Sequence, residues 1–562
     1  MIRTILMSGL ALLMLVACGQ DETATEGGTT SPASAGGNPL FERIDADTPM
    51  LAANLETMPD ALIDRFWEPM TAMSEFNRNS YEELAEEAQE DVPVIAALLR
   101  EIGQLDSREA VESRGISSNG YFAMHLVSVY PFIHVQLSDE AAFEAMIQRV
   151  ASEGGSEVPT RTVGGEDVVW IEHEDLGLAI HHGDGFATVA VVPDDESMLR
   201  RVANLDRPSR AYDAADLVRF DRDRGYTGNG SLFVDLAGVL ARLLDENDPL
   251  AEPVRQAMDL EVLATDASCR SEIDRLFEIF PRLSAGMTEL SDDRVSAEFV
   301  VEAESSMAER MAAIADTPVG LSGGETRTIS GGIAFDLVAA RDFAREVVAA
   351  WVETPPQCAA FSSIAAQAPD WQRALNQPIP PVITNVRGLR FNMDRLSMST
   401  PGQVDSAEGT LALFVRNPQM LIGMAQMFSP DIAAMDLQPN GEAKPLPKNL
   451  IPNLPDLSAF IALGSDAIAV SFGEGQEARL PEALEQHESD GAVLAYTIDF
   501  EGYGELMASM MDAIAADANV DRDELPPSDF MSRLAEYYDS SSIAVRLTDR
   551  GIVIDSTTTM EP

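Results

Sequence analysis

Lysine is almost missing from this 562-residue chain. It stands only at Lys444 and Lys448, so nearly all of the 38 basic residues are arginine. Against 93 acidic residues that leaves a formal charge of −55 and a pI near 4.2. A surface of that sign repels phosphate backbones and anionic lipid headgroups, which excludes nucleic-acid partners and electrostatic adhesion to a membrane. Cysteine is as scarce, with three residues, and histidine has six. Beyond the first eighteen residues no run is apolar and long enough to span a bilayer. What is there in ordinary measure is globular material: 45% hydrophobic and 23% charged residues exclude a disordered or fibrous chain. The length suits two to four domains or one large repeated body.

The N-terminus carries the clearest address. Arg3 supplies a positive charge ahead of an apolar run, Ile5 to Ala17, of signal-peptide length. The run ends in Leu15-Val16-Ala17-Cys18, which resembles the lipobox of bacterial lipoproteins. That resemblance implies cleavage before Cys18 and acylation of its thiol and amino group, so that acyl chains attach the protein to the membrane. Gly19, rather than Asp, implies the outer membrane by the same resemblance. The inner membrane and the cell surface remain alternatives. Residues 19–39 are rich in Gly, Ser, Thr, Ala and Glu without periodicity, and read as a tether of roughly 25 Å reach. With Cys18 lipidated, Cys269 and Cys358 remain. In an oxidising periplasm they most simply form a disulfide; the alternative is two buried free thiols.

Internal similarity organises the body. Phe132 to Asp139 followed by Glu140 to Val150 reads as strand, cap and helix, and so does Leu411 to Asn417 followed by Pro418 to Phe428. Apolar residues recur at Phe143, Met146, Ile147 and Val150, and at Leu421, Met424, Ala425 and Phe428, one helical face in each case. Asp139 and Asn417 suit the caps, and Pro418 the first helical position. Hairpin signals follow around Gly183-Asp184-Gly185 and Gly464-Ser465-Asp466, then strands at Leu232 to Leu236 and Tyr496 to Phe500. Closing strand pairs centre on Asp292-Asp293-Arg294 and Thr548-Asp549-Arg550. The expected fold class is α+β: two tandem related halves, each an antiparallel sheet with helices packed on one face. The expected boundaries are 1–17 signal peptide, 18–39 lipidated tether, 40–310 first repeat, 311–329 Gly/Ser linker and 330–562 second repeat. This layout resembles large uncharacterised bacterial envelope proteins with two tandem α+β repeats, a resemblance that implies no activity.

Candidate chemistry is sparse. Five of the six histidines, His125, His134, His173, His181 and His182, fall in the first half, with His487 alone in the second. In the hairpin from Val168 to His182, His173 and His182 share a face while His181 points the other way with Trp170, so they do not converge on one metal. Gly320-Leu321-Ser322-Gly323-Gly324 matches a nucleophile-elbow pattern, but no apolar strand leads into it, so it reads as a joint. Asp517, Asn519, Asp521 and Asp523 place oxygen ligands at alternating positions, as a Ca²⁺ loop does. Arg522 stands where an EF-hand needs glycine, and the other reading is a solvated acidic loop. Met420, Met424 and Met427, with Met507, Met510 and Met511, offer thioethers for Cu(I), yet their helical spacing is that of core packing. No other cofactor is expected. No enzyme constellation emerges, which leaves two binding classes. One is a tethered periplasmic scaffold contacting other envelope proteins; the other carries a lipid or similar hydrophobic ligand in an apolar groove. The scaffold is the expected function. A carrier needs a sizeable cavity lined by Met, Leu and Phe, whereas a scaffold needs filled cores and an exposed patch.

Overall fold

The computed structural model describes residues 37–560 apart from 58–59, 73, 90–91, 156–157, 174, 259, 261–262, 264, 316, 318, 322–327, 401–402, 448–457, 487–490 and 516–532. The chain divides into two units, Met1–Phe277 with Pro281–Phe299, and Glu278–Phe280 with Val300–Pro562. Helices and strands are both abundant, and every strand pair described below is antiparallel, so the fold is mixed α+β.

The strands of the first unit are β1 (Met50–Ala53), β2 (Phe122–Val127), β3 (Tyr130–Gln136), β4 (Thr160–Val163), β5 (Glu166–His173), β6 (Leu176–Gly183), β7 (Phe186–Val192), β8 (Ser231–Asp235) and β9 (Arg282–Leu290). They pair in the order β4-β5-β6-β7-β3-β2-β1-β8-β9. The β6–β7 turn is the one the glycines require: Asp184 and Gly185 both have positive φ, 55° and 79°, the geometry that matches strand twist in a two-residue hairpin.

Helices cover both faces of this sheet, a correction to the one-face expectation. On one face lie α1 (Ser74–Ala88), α2 (Pro93–Gly103) and α3 (Glu140–Glu153). Phe143, Met146, Ile147 and Val150 of α3 are buried with Ile95, Ala96 and Leu99 of α2 against Ile171, Leu178 and Ile180. Each such side chain contributes roughly 1.5–3 kcal/mol by leaving water. Asp139 starts α3 by accepting hydrogen bonds from the Ala141 and Ala142 amides at 2.9 and 3.1 Å. On the other face, α4 (Glu196–Val202) packs Met198, Leu199 and Val202 onto Val168, Trp170, Ala179 and Ala190. Also on that side, α5 (Ala214–Arg224) brings Leu217 and Phe220 to Leu51, Ala53 and Ala123. The cause is in the strands. Val168-Val169-Trp170-Ile171 is apolar at both parities, and a strand without alternation must be buried on both sides.

The second unit contains β11 (Ile329–Ala334), β12 (Val386–Thr400), β13 (Gln403–Val415), β14 (Lys444–Pro445), β15 (Ala459–Leu463), β16 (Ala467–Phe472), β17 (Ala492–Asp499), β18 (Tyr538–Thr548) and β19 (Gly551–Met560), after β10 (Arg294–Glu302) has crossed the boundary. Their order is β14-β15-β16-β13-β12-β11-β17-β18-β19. Again both faces carry helices. Between β13 and β14, α7 (Pro418–Phe428) packs Ile422 with Ile461, Leu463, Ile468 and Val470. On the opposite face, Leu480 of α8 (Leu480–Ala483) is buried with Ala412, Phe414, Ala462 and Ala469.

Cys269, in α6 (Ala267–Ile279), and Cys358 are disulfide-bonded, and both are fully buried. Among the described residues no helix is long and apolar enough to cross a membrane.

Candidate functional site

The second unit breaks the burial rule on α7. Asn417 accepts from the Met420 amide at 3.0 Å and Pro418 takes the first helical position, as the sequence implies. The expected core stripe is not realised. Ile422 and Pro418 face the core, while Met424, Met427 and Phe428 are 38%, 73% and 84% exposed. The core-packing expectation for Met424 and Met427 is thereby corrected; Met420, Met507, Met510 and Met511 are half-buried. Residues 417–430 contain no charged side chain, in a chain of charge −55.

The sheet face under α7 continues the apolar surface. Register places Ile554, Val545, Leu494, Ile333, Leu389 and Leu413 directly opposite one another across β19, β18, β17, β11, β12 and β13. Tyr496 and Leu411 stand on the same face two residues along their strands. Ile333, Leu411, Leu494, Tyr496 and Ile554 are 38–46% exposed. Six strands at about 4.8 Å spacing make this band roughly 24 Å wide.

The other face of the same sheet holds a cavity of about 240 Å³. Ser330, Asn392 and Thr410 lie on its sheet side, with Arg390, Arg479 and Glu482 among its other lining residues. The Arg390 Nη2 donates to the carbonyls of Glu482, Ala483 and Glu485 at 3.3, 3.2 and 2.9 Å, closing the end of α8. Its guanidinium lies 5.0 Å from the Phe414 ring centroid, and burial lowers its pKa. Arg479 pairs with the Asp394 carboxylate. The lining mixes these polar and charged groups with Leu321, Phe391, Ala412 and Ala483, and no methionine is among them.

Two histidines come together that sequence reasoning left apart. His125 on β2 and His134 on β3 are diagonal neighbours, stacked with Nε2 atoms 3.2 Å apart. The His134 Nδ1 meets the Thr188 hydroxyl at 2.9 Å. Burial, with Arg201 and Arg242 nearby, holds His125 down at about 3; burial, His125 and Arg43 hold His134 well below the usual range. The signal was legible: a hairpin turning at Ser128-Val129 sets His125 opposite Phe132 and beside His134. His173 and His182 do share a face, but six residues of strand separate His182 from the partner of His173, about 20 Å. His182 packs on Phe143, and His181 Nδ1 lies 3.3 Å from the Asp167 carbonyl oxygen. Among the described residues, no three His, Cys, Asp or Glu side chains form a metal-holding group. Cys18, Ser322, His487 and the acidic loop with Asp517, Asn519, Asp521 and Asp523 lie outside the described residues.

No protein-family model, curated protein or solved structure matches the chain.

Proposed function

We propose that this is an outer-membrane-anchored periplasmic lipoprotein that binds other envelope proteins, built as two tandem related α+β halves. The duplication is supported by strand order: β5-β6-β7-β3-β2-β1-β8-β9 and β14-β15-β16-β13-β12-β11-β17-β18 correspond position by position. The paired segments of the sequence fall on matching strands, β3 with β13, β6–β7 with β15–β16, and β8 with β17. The location rests on the lipobox at Cys18 and the tether behind it.

The observation that carries the binding function is the open apolar surface of the second unit, α7 with its exposed Met424, Met427 and Phe428 beside the strand band. Monomeric proteins seldom leave such a patch uncovered. Its openness favours a protein over a small ligand, because ligand pockets are concave and bury most of what they hold. The partner presents an apolar patch ringed by basic residues, complementary to an uncharged surface on a strongly acidic body.

The test is gentle purification of the native lipoprotein, followed by mass spectrometry for proteins and lipids. A photo-crosslinking residue in place of Phe428 identifies what touches α7. One protein crosslinked there, and lost from the Met427→Ser/Phe428→Ser variant, supports the scaffold. A stoichiometric lipid in the body, with no protein partner, assigns the carrier instead.

A further inference from the structure

The buried face of the second sheet carries an unusual row. Thr557, Ser542, Thr497, Ser330, Asn392, Thr410 and Ser471 stand directly opposite one another across β19, β18, β17, β11, β12, β13 and β16. Seven successive strands thus contribute a hydroxyl or an amide at one level of the sheet. Thr410 and Ser471 are buried. The 240 Å³ cavity lies against the middle of this row, at Ser330, Asn392 and Thr410. At the next level are Ala469, Ala412, Arg390, Gly332, Ala495 and Ala544: the glycine and alanines are too small to fill it, and the Arg390 guanidinium is drawn off to the carbonyls of Glu482, Ala483 and Glu485.

The first unit does the opposite on the corresponding strands. Leu51, His125, Phe132 and Ala190 are directly opposite one another across β1, β2, β3 and β7, and the first three are fully buried. Large side chains fill the space that small polar ones leave open in the second unit. An unfilled hole costs stability, and Thr410, buried at its floor, forgoes the apolar burial that Phe132 gains at the matching place. A chain that breaks both packing rules at one place, while filling the matching place elsewhere, marks that place as functional.

We infer that this cavity is a binding site for a small uncharged polyhydroxylated molecule of monosaccharide size. The chemistry selects the class. Hydroxyls and an amide both donate and accept, as sugar hydroxyls do. The positive charges are already engaged, Arg390 on three backbone carbonyls and Arg479 on Asp394, and Glu482 and Glu485 add negative charge at the wall. An anion therefore gains little, and a lipid chain would have to lie against Ser330, Arg390, Asn392, Thr410 and Arg479 as well as the apolar Leu321 and Phe391. The site is on the face opposite the α7 band and is independent of the protein-binding surface.

Calorimetry on the full-length lipoprotein in mild detergent tests it, with D-glucose and N-acetyl-D-glucosamine as neutral probes and L-glutamate as the anionic one. Saturable binding of a sugar is expected, weakened about tenfold by Thr410→Val and by Asn392→Leu, each of which removes a hydrogen bond. Should a variant fail to fold, a crystal of the wild-type protein soaked in the sugar replaces it, with sugar density against Ser330, Asn392 and Thr410 expected. No saturable heat with either sugar, tighter binding of glutamate, unchanged affinity in both folded variants, or water alone in the soaked cavity overturns the inference.

Discussion

Helices α3 and α7 follow matching strands, begin with matching caps and carry the same apolar spacing, yet one is sealed and the other is open. Phe143, Met146, Ile147 and Val150 of α3 are buried because α2 lies across them, while Met424, Met427 and Phe428 of α7 face solvent. The sheets behind them differ in the same spirit: Leu51 and Phe132 fill the first, and Ser330 and Thr410 leave a hole in the second. The lesson is that an amphipathic pattern states which residues want cover, and only the neighbouring elements decide whether cover arrives. The first unit seals its helix face and fills its sheet, and the second leaves both a helix face and a cavity open.

The comparison can be attacked at several strengths. The largest effect is expected from reducing the Cys269–Cys358 bond, which closes a loop of roughly 90 residues and is worth up to about 4–5 kcal/mol in the chain-entropy model. Urea unfolding with and without reductant measures it; coincident curves refute it. Next, Phe132→Ala opens a cavity in the filled sheet and costs about 3–5 kcal/mol, whereas Thr410→Ala beside an existing cavity costs under about 1 kcal/mol. Similar losses from the two substitutions would show that the units are packed alike.

Acid separates the units again. His125 and His134 are buried neutral, with folded pKa values below the unfolded value of about 6.5. Between pH 6.5 and about 3 the unfolded chain binds protons that the folded chain refuses. Stability is therefore full above pH 6.5 and falls by about 1.4 kcal/mol per pH unit for each imidazole as the pH drops. Asp221 acts in the opposite sense: burial raises it to about 6, so protonation of the folded state relieves strain below that pH. Replacing both histidines with leucine flattens the acid limb of the first unit if the assignment holds, and leaves it unchanged if other groups control it.

Salt probes the whole body. Self-repulsion at −55 relaxes as counterions screen it, so the melting temperature rises between low and near-molar NaCl, and a flat profile counts against this. The smallest effect is at α7. Phe428→Ser changes stability by no more than about 0.5 kcal/mol, because the ring is already in water, against about 3–5 kcal/mol for Phe143→Ala. A large loss at Phe428 would mean that the helix end is covered in the protein.

Much was legible in the residues alone. Alternation and turn glycines located the hairpins at Asp184 and Ser465, Asp139 and Asn417 located two helix starts, and two spare cysteines indicated the disulfide. These are local or combinatorial facts: a cap needs only its own amides, and a turn only its own φ angles. The strand order, the helices on both faces and the polar row from Thr557 to Ser471 were decided by tertiary structure. Each depends on which strands lie side by side, and residues hundreds of positions apart become neighbours only through that register. The exposure of Phe428 is of the same kind: its spacing demanded burial, and among the described residues none supplies the covering surface.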